Sequence, residues 1–239
     1  CDIWEETALD YSYNIKAVYQ PIDIKNTFDL FAEDFDNWFV ENKEIYLSEL
    51  NTLLATKPSG RVLDIGVGSG VFAFKLGVEL GIDISSSMLK KSKERGIDVV
   101  QADVNALPIR SESFDTVLVS FTICFVNSVE NMLKEISRVL KCGSSFVLGE
   151  ITKDSVWGKK YSELGKGGHR FYSKATFYTY KQTKRMLLKS GFELIRVYGT
   201  LDFSPDGEPF IESPTDLRPD DYTSIKTFGF IVIVSSKSC

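Results

Sequence analysis

The nine residues Val62 to Gly70, V-L-D-I-G-V-G-S-G, constrain the fold of this chain more than any other stretch. An apolar run carries a carboxylate, Asp64, and glycines alternate after it at Gly66, Gly68 and Gly70. This is the pattern of a buried strand turning sharply into a helix. Glycine admits the backbone angles of such a turn and lets a ligand approach the main chain. A dinucleotide fingerprint would read G-x-G-x-x-G and lead into a helix N-terminus that holds a pyrophosphate. Here the third glycine of that pattern would fall at Val71, and Asp64 would repel a pyrophosphate. The same carboxylate suits a cationic ligand. Taken alone, the glycines also fit a tight strand–helix turn with no ligand.

The downstream chain repeats the strand–helix rhythm. Leu80 to Ile84, L-G-I-D-I, is a short apolar strand ending near Asp83, where an acidic side chain can accept both hydroxyls of a ribose. The plain alternative for Asp83 is an N-cap. Ser85, Ser86, Ser87 and Met88 then open a helix with capping hydroxyls. A third strand, Asp98 to Gln101, leads to Asp103, which could accept from an exocyclic amine or simply brace a turn. Phe114 to Ser120 is a fourth strand, β-branched and apolar as a central parallel strand should be.

On these residues the chain resembles the class I methyltransferases dependent on S-adenosylmethionine (SAM), of the small-molecule type related to quinone-biosynthesis enzymes. The matching stretches are V-L-D-I-G-V-G-S-G at 62–70, G-I-D-I-S-S-S-M-L at 81–89, Q-A-D-V-N-A-L-P at 101–108, F-D-T-V at 114–117 and L-K-E-I-S-R-V-L-K-C-G at 133–143. They follow the family's order across roughly 57–150. T-I-C-F-V at 122–126 is similar to uncharacterised prokaryotic methyltransferases. Cys142-Gly143 departs from the Pro-Gly or Gly-Gly of that turn. The resemblance implies SAM as cofactor, whose ammonium and sulfonium match the cationic preference at Asp64. It implies that Asp64 and the loop Gly66, Val67, Gly68, Ser69 and Gly70 face the methionine moiety. It further implies that Asp83, with Ile84 and Met88 beside it, holds the ribose, that Asp103 and Val104 contact the adenine, and that Ser120 and Phe121 lie near the methyl. Strand–helix alternation and the resemblance together imply an α/β, Rossmann-like sheet of seven strands, mostly parallel, in the order 3-2-1-4-5-7-6 with the last strand antiparallel and helices on both faces.

Composition sets the outer bounds. At 239 residues, 43% hydrophobic and 26% charged, the chain has material for one sizeable core. Its longest apolar runs are too short to span a membrane. Cys1, Asp2, Glu5 and Glu6 make the first residues acidic and polar, unlike a secretory leader. The cysteines at 1, 124, 142 and 239 lack any C-x-x-C spacing, which suggests neither a zinc site nor a disulfide framework and fits a reducing cytoplasm. No metal centre is expected. The net charge of −5 is uneven: ten Lys or Arg against Asp154 and Glu163 give 153–189 a charge of +8. That stretch is either a solvated helix face or a local field that attracts an anionic acceptor.

Residues 1–56 read as an N-terminal helical cap, with amphipathic, aromatic-rich helices over 26–56. Residues 57–239 form the methyltransferase domain, with cap insertions near 150–178 and 200–227. Segments leaving the carboxyl ends of parallel strands lie on the ligand side, and the second insertion, with prolines 205, 209, 214 and 219, reads as a structureless connection, functional or mobile. Both insertions are expected to cover the substrate pocket. Tyr46 and Trp38 are the cap aromatics placed near the site, and Cys124 and Arg170 join Tyr46 as substrate contacts. His169, the sole histidine, and Tyr172 are the candidates for proton transfer. A solvated His169 and an inert, buried Cys124 are the plain alternatives. A sulfonium is already electrophilic, so methyl transfer needs proximity and exclusion of water more than a catalytic constellation. The alternatives to small-molecule methylation are an RNA methyltransferase, a nicotinamide oxidoreductase, and a SAM-binding regulator without catalysis. The overall acidity and the S-F-T-I tetrad at 120–123 argue against the first, and Asp64 against the second.

Overall fold

The structure, a computed structural model, describes residues 23–239. The acidic opening residues, Cys1 among them, and with them the first part of the expected cap, lie outside the described residues. Among the described residues, eight strands form one sheet: β1 (Val62–Ile65), β2 (Leu80–Asp83), β3 (Asp98–Gln101), β4 (Phe114–Ser120), β5 (Leu140–Glu150), β6 (Phe192–Thr200), β7 (Thr215–Leu217) and β8 (Phe230–Lys237). The helices are α1 (Ile24–Leu30), α2 (Ala32–Glu41), α3 (Lys43–Ala55), α4 (Ala73–Leu76), α5 (Ser86–Glu94), α6 (Val129–Val139), α7 (Val156–Lys166), α8 (Tyr180–Lys189) and α9 (Tyr222–Ile225). Among the described residues no helix is long and apolar enough to cross a membrane.

The strand order is β3-β2-β1-β4-β5-β8-β6-β7. Strands β3, β2, β1, β4 and β5 run parallel to one another, and β8 pairs antiparallel with both β5 and β6. The expected seven-strand order therefore holds, with β8 in the seventh strand's role. The eighth strand is the difference. Residues 200–227 are not a structureless connection: Leu201 turns at φ +62°, Thr215–Leu217 pairs antiparallel with Val197–Gly199 at the sheet edge, and α9 follows. The Glu212 carboxylate accepts from the Leu201 amide (2.6 Å) and the Thr200 hydroxyl (3.0 Å), and the Glu212 amide donates to Ser48 Oγ on α3 (2.8 Å). Local polar contacts, invisible as periodicity, pin this segment.

Side chains alternate across the sheet and fill two cores. Leu63, Ile65, Val117, Val119 and Leu148 face α6 and α8, where Met132, Ile136 and Leu187 are fully buried. Val62, Leu118, Val147, Phe230 and Val232 face the other way, onto Phe39 of α2, Leu50 and Leu53 of α3, and Trp157 of α7. Burial on both faces is why these strands read as continuous apolar runs.

The cysteine reading needs correcting. Cys142 and Cys239, 97 residues apart, form a disulfide with Cα atoms 5.2 Å apart. Strand β8 runs antiparallel beside β5, so the end of the chain returns to the start of β5. Spacing along the chain gives no hint of that return. The bond lies at the end of the sheet opposite the carboxyl ends of the parallel strands.

Candidate functional site

The turn after β1 is tight because its backbone folds onto β2. The amides of Gly66 and Val67 both donate to the Ile82 carbonyl, at 2.7 and 2.9 Å. Gly66 has φ +75°, and a Cβ there would collide with the side chain of Thr122, so only glycine fits. Gly68 also has a left-handed φ, +55°, yet a Cβ there would meet only Phe35 Cε1 at 3.9 Å. No packing demands glycine at Gly68; backbone angle and an open face do.

Two carboxylates converge below this loop. Asp83 accepts from the Gly68 amide through Oδ2 and the Ser85 amide through Oδ1, both at 2.9 Å. Burial pushes its pKa up, and those backbone amides pull it back. Asp64 is 5% exposed, and its Oδ1 has no hydrogen-bond partner among the described residues. Burial first, then repulsion from Asp83, pushes Asp64 up to about 7. A buried carboxylate with an unused oxygen calls for a cation or donor. The ammonium of SAM meets that need, and the hydroxyls of its ribose suit the remaining lone pairs of Asp83. The residues present therefore fit the expected cofactor.

The other expected cofactor contacts are dispersed around this crevice. Val67 and Ser69 are buried in the loop, and the Ser69 carbonyl accepts from Arg95 at 2.8 Å. Ile84 follows Asp83, and its carbonyl accepts from Gln101 Nε2 at 2.9 Å. Met88 is buried at the start of α5. Asp103 is exposed and accepts from the amide and side chain of Asn105, both at 2.8 Å, which is the turn-bracing geometry. Val104 packs against the α6-side core. Ser120 ends β4, and Phe121 follows it at φ +57°, a left-handed conformation unusual for a bulky residue. Phe121 is held there by its amide bond to the Gly149 carbonyl (2.9 Å) and by stacking on Phe230 at 4.6 Å. Backbone strain of this kind concentrates at ligand sites.

Helices α1 and α2 bear down on the crevice by charge. Asp29 accepts from Ser85 Oγ (2.7 Å) and the Ser87 amide (3.1 Å), capping α5 from outside. Burial opposes ionisation of Asp29, but those bonds and the one from Lys25 outweigh it and bring its pKa down to about 2. Asp36 takes both carboxylate bonds from Arg95, at 2.7 and 2.9 Å.

Beside the crevice lies a cavity of about 440 Å³ at the carboxyl ends of β4 and β5. Helix α2 contributes Phe35, Trp38 and Phe39, and α3 contributes Ile45 and Glu49. The strand ends contribute Phe121, Cys124 and Glu150. The segment after β5 contributes Trp157, Tyr161, His169, Arg170, Phe171, Tyr172, Phe177 and Tyr178, and 200–227 contributes Pro205. The structure thus brings Cys124, His169, Arg170, Tyr172 and Trp38 together. Tyr46 does not line the cavity: its hydroxyl donates to the Val71 carbonyl (3.0 Å) and its ring packs on Phe39 and Phe72.

The chemistry of these residues differs from the expectation. Tyr172 is sandwiched between Tyr161 (4.4 Å) and His169 (4.5 Å), and burial drives its pKa upward, so it stays a phenol. His169 receives the amides of Phe171 and Tyr172 at Nδ1, both at 3.4 Å. Burial and then Arg170 lower its pKa, which keeps the ring neutral. Burial drives the Cys124 thiol upward, so it is inert. Arg170 pairs with Asp34 and stacks over Phe31 at 4.5 Å, and Lys160 pairs with Asp206. The basic stretch does not give the cavity a free positive charge. The unpartnered ionisable groups lining the cavity are acidic: Glu49 and Glu150, each 2% exposed, each have one oxygen with no partner among the described residues. Sequence reasoning missed both. Glu150 had a signal, since F-V-L-G-E ends an apolar parallel strand in a carboxylate, as L-G-I-D does at Asp83. Glu49 lies in the middle of an amphipathic helix and had none.

A family model described as "Methyltransferase domain" matches residues 63–148. An uncharacterised protein of Methanocaldococcus jannaschii is 40% identical, the match covering 74% of this chain and 85% of that protein. A ubiquinone/menaquinone biosynthesis C-methyltransferase, UbiE, of Stenotrophomonas maltophilia is 30% identical over 57% of this chain and 67% of its own. Among solved structures, a SAM-dependent methyltransferase of Thermotoga maritima, described as a possible histamine N-methyltransferase, is 32% identical. It superposes with a TM-score of 0.83 over 90% of this chain and 100% of its own.

Proposed function

The chain belongs to the class I SAM-dependent methyltransferases, and from that membership we propose that it methylates a small molecule bound in the aromatic cavity beside the glycine loop. The observation that carries this reading is the adjacency of two unlike sites at the same strand ends. One is the polar turn around the unpartnered Asp64 carboxylate, and the other is an apolar cavity of about 440 Å³ whose lining residue Phe35 lies over Gly68 of that turn. A cavity of that size suits a small acceptor. The description of the Thermotoga relative also points to one.

When bound, SAM supplies a methyl group on a sulfonium, which needs no further activation. Asp64 would hold its ammonium, Gly66, Gly68 and Gly70 would give it room along the main chain, and Asp83 would hold its ribose. Asp103 and Val104 would lie at its adenine, and Ser120 and Phe121 at its methionine side. On the acceptor side, Trp38, Trp157, Phe171 and Tyr172 exclude water and fix the acceptor's orientation. Catalysis then consists mainly of positioning the acceptor close to the methyl in a dry site. Neutral His169 accepts backbone amides at Nδ1 and therefore carries its proton on Nε2, from which it can donate a hydrogen bond to a bound acceptor.

Titration calorimetry with S-adenosylhomocysteine and with NADH tests the reading. Micromolar or tighter binding of the first and none of the second is the expected outcome. Binding of NADH in preference would overturn it. Hydrogen exchange then checks the cover: amides of 156–178 should gain protection when the cavity is filled.

A further inference from the structure

Resting on that reading, we propose that the acceptor is a cationic amine, selected by the buried carboxylates Glu49 and Glu150. Glu150 ends β5, and Ser120 of β4 pairs with its neighbour Gly149, so Glu150 sits beside Phe121 at the strand ends. Its Oε2 accepts from Thr183 Oγ1 at 3.0 Å, while Oε1 is buried without a partner. Glu49 lines the same cavity from α3, and its Oε2 is likewise buried and unpartnered. Both carboxylates are thus walls of a chamber whose remaining surface is largely aromatic.

No basic side chain among the described residues balances them. Of those that line the chamber, Lys160 is spent on Asp206 and Arg170 on Asp34. His169 is kept neutral by its surroundings. An anionic acceptor would oppose ionisation of Glu49 and Glu150 and would find no unpaired basic side chain lining the chamber among the described residues. A neutral apolar one would leave both buried and unpaired, which is costly. An alkylammonium brings N–H donors for the carboxylates and a positive charge for the faces of Trp38, Trp157 and Tyr161. Burial pushes Glu150 up to about 8 and Glu49 well above its usual range. A bound ammonium would favour their ionised forms, which burial alone disfavours.

The step balances on this chain's own groups. The ammonium first gives one proton to Glu150, which leaves a lone pair on nitrogen. That pair forms the bond to the methyl carbon while the carbon–sulfur bond breaks, its electrons staying on sulfur as a neutral thioether. The N-methylammonium product leaves, and the proton on Glu150 passes to water.

The test is calorimetry on the full chain saturated with S-adenosylhomocysteine, using phenethylamine and 1,4-diaminobutane against 2-phenylethanol and phenylacetate. At least one amine should bind, and the alcohol and the acid should not. E150Q and E49Q keep the side-chain volume and should each weaken the bound amine about tenfold or more, with S-adenosylhomocysteine affinity unchanged. Because each removes an unpaired buried carboxylate, each should also melt no lower than the parent, which separates loss of recognition from loss of fold. If S-adenosylhomocysteine itself fails to bind the parent, the methyltransferase reading falls and this inference with it. If it binds and phenylacetate outcompetes both amines, or neither amine binds, or both variants bind amine as the parent does, the amine inference alone is overturned.

Discussion

Replacing Asp64 by asparagine should stabilise the free protein at alkaline pH while crippling its hold on the cofactor. Asp64 titrates at about 7 in the fold against an ordinary value of 3.8. The folded state therefore holds a proton between those values that the unfolded chain has already released. Stability from this group is fully present below pH 4 and is lost as pH rises towards 7, by about 1.4 kcal/mol per pH unit. Over the roughly three units between the two values, that is about 4 kcal/mol as an upper bound, and relaxation of the site will reduce it. The replacement amide has no charge to bury, so D64N should exceed the parent by about 1–3 kcal/mol at pH 8 and match it near pH 4. Glu49 and Glu150 also carry raised pKa values, but they are common to both proteins, so the difference isolates Asp64. Urea unfolding at pH 4, 6 and 8 measures it. Calorimetry should give D64N about a hundredfold weaker SAM binding, the cost of an ion pair buried in the crevice. The parent's affinity should fall as pH drops below 7, when Asp64 takes up its proton, and the variant's should vary less. A D64N protein less stable than the parent at pH 8, or one that binds SAM equally well, would refute both the burial argument and the ammonium assignment.

Asp83→Ala removes acceptors for two ribose hydroxyls and should weaken SAM by on the order of 10²-fold with the fold intact; equal affinities by calorimetry would exclude the ribose role. Gly68→Val puts a branched side chain at φ +55° on the face where the cofactor and the loop must meet. It should abolish SAM binding for about 1–2 kcal/mol of stability, and retained binding would make the loop merely structural. Cys142→Ser opens a disulfide that closes 97 residues. It should cost up to about 5 kcal/mol by loop entropy, seen as a lower melting temperature, with S-adenosylhomocysteine affinity unchanged because the bond lies at the far end of the sheet. An equal melting temperature with and without reductant would show that the bond contributes nothing.

The turn that would hold the cofactor was legible from the chain alone. Asp64, the alternating glycines and Asp83 are local signals, because each sits where a short apolar run meets a turn, and strand, turn and helix are set by neighbouring residues. Strands β2 to β4 fall within a residue or two of their expected ends for the same reason. In the substrate half, the charge of the basic stretch differs from the charge that reaches the cavity. Ten basic residues in one stretch suggested an anionic acceptor, but the two that reach the cavity are spent on partners far away in sequence, Arg170 on Asp34 and Lys160 on Asp206.

Periodicity and glycine spacing, which are properties of adjacent residues, determined by themselves the α/β class and the position of the glycine turn after β1. Tertiary structure alone decided which charges stay unpaired. Glu49 on a helix and Glu150 at a strand end meet in one cavity across 101 residues of sequence, and Cys239 reaches Cys142 only because β8 turns back along β5. Whether a carboxylate is solvated, paired or stranded depends on what the fold brings within hydrogen-bonding distance. That distance is not a function of separation along the chain.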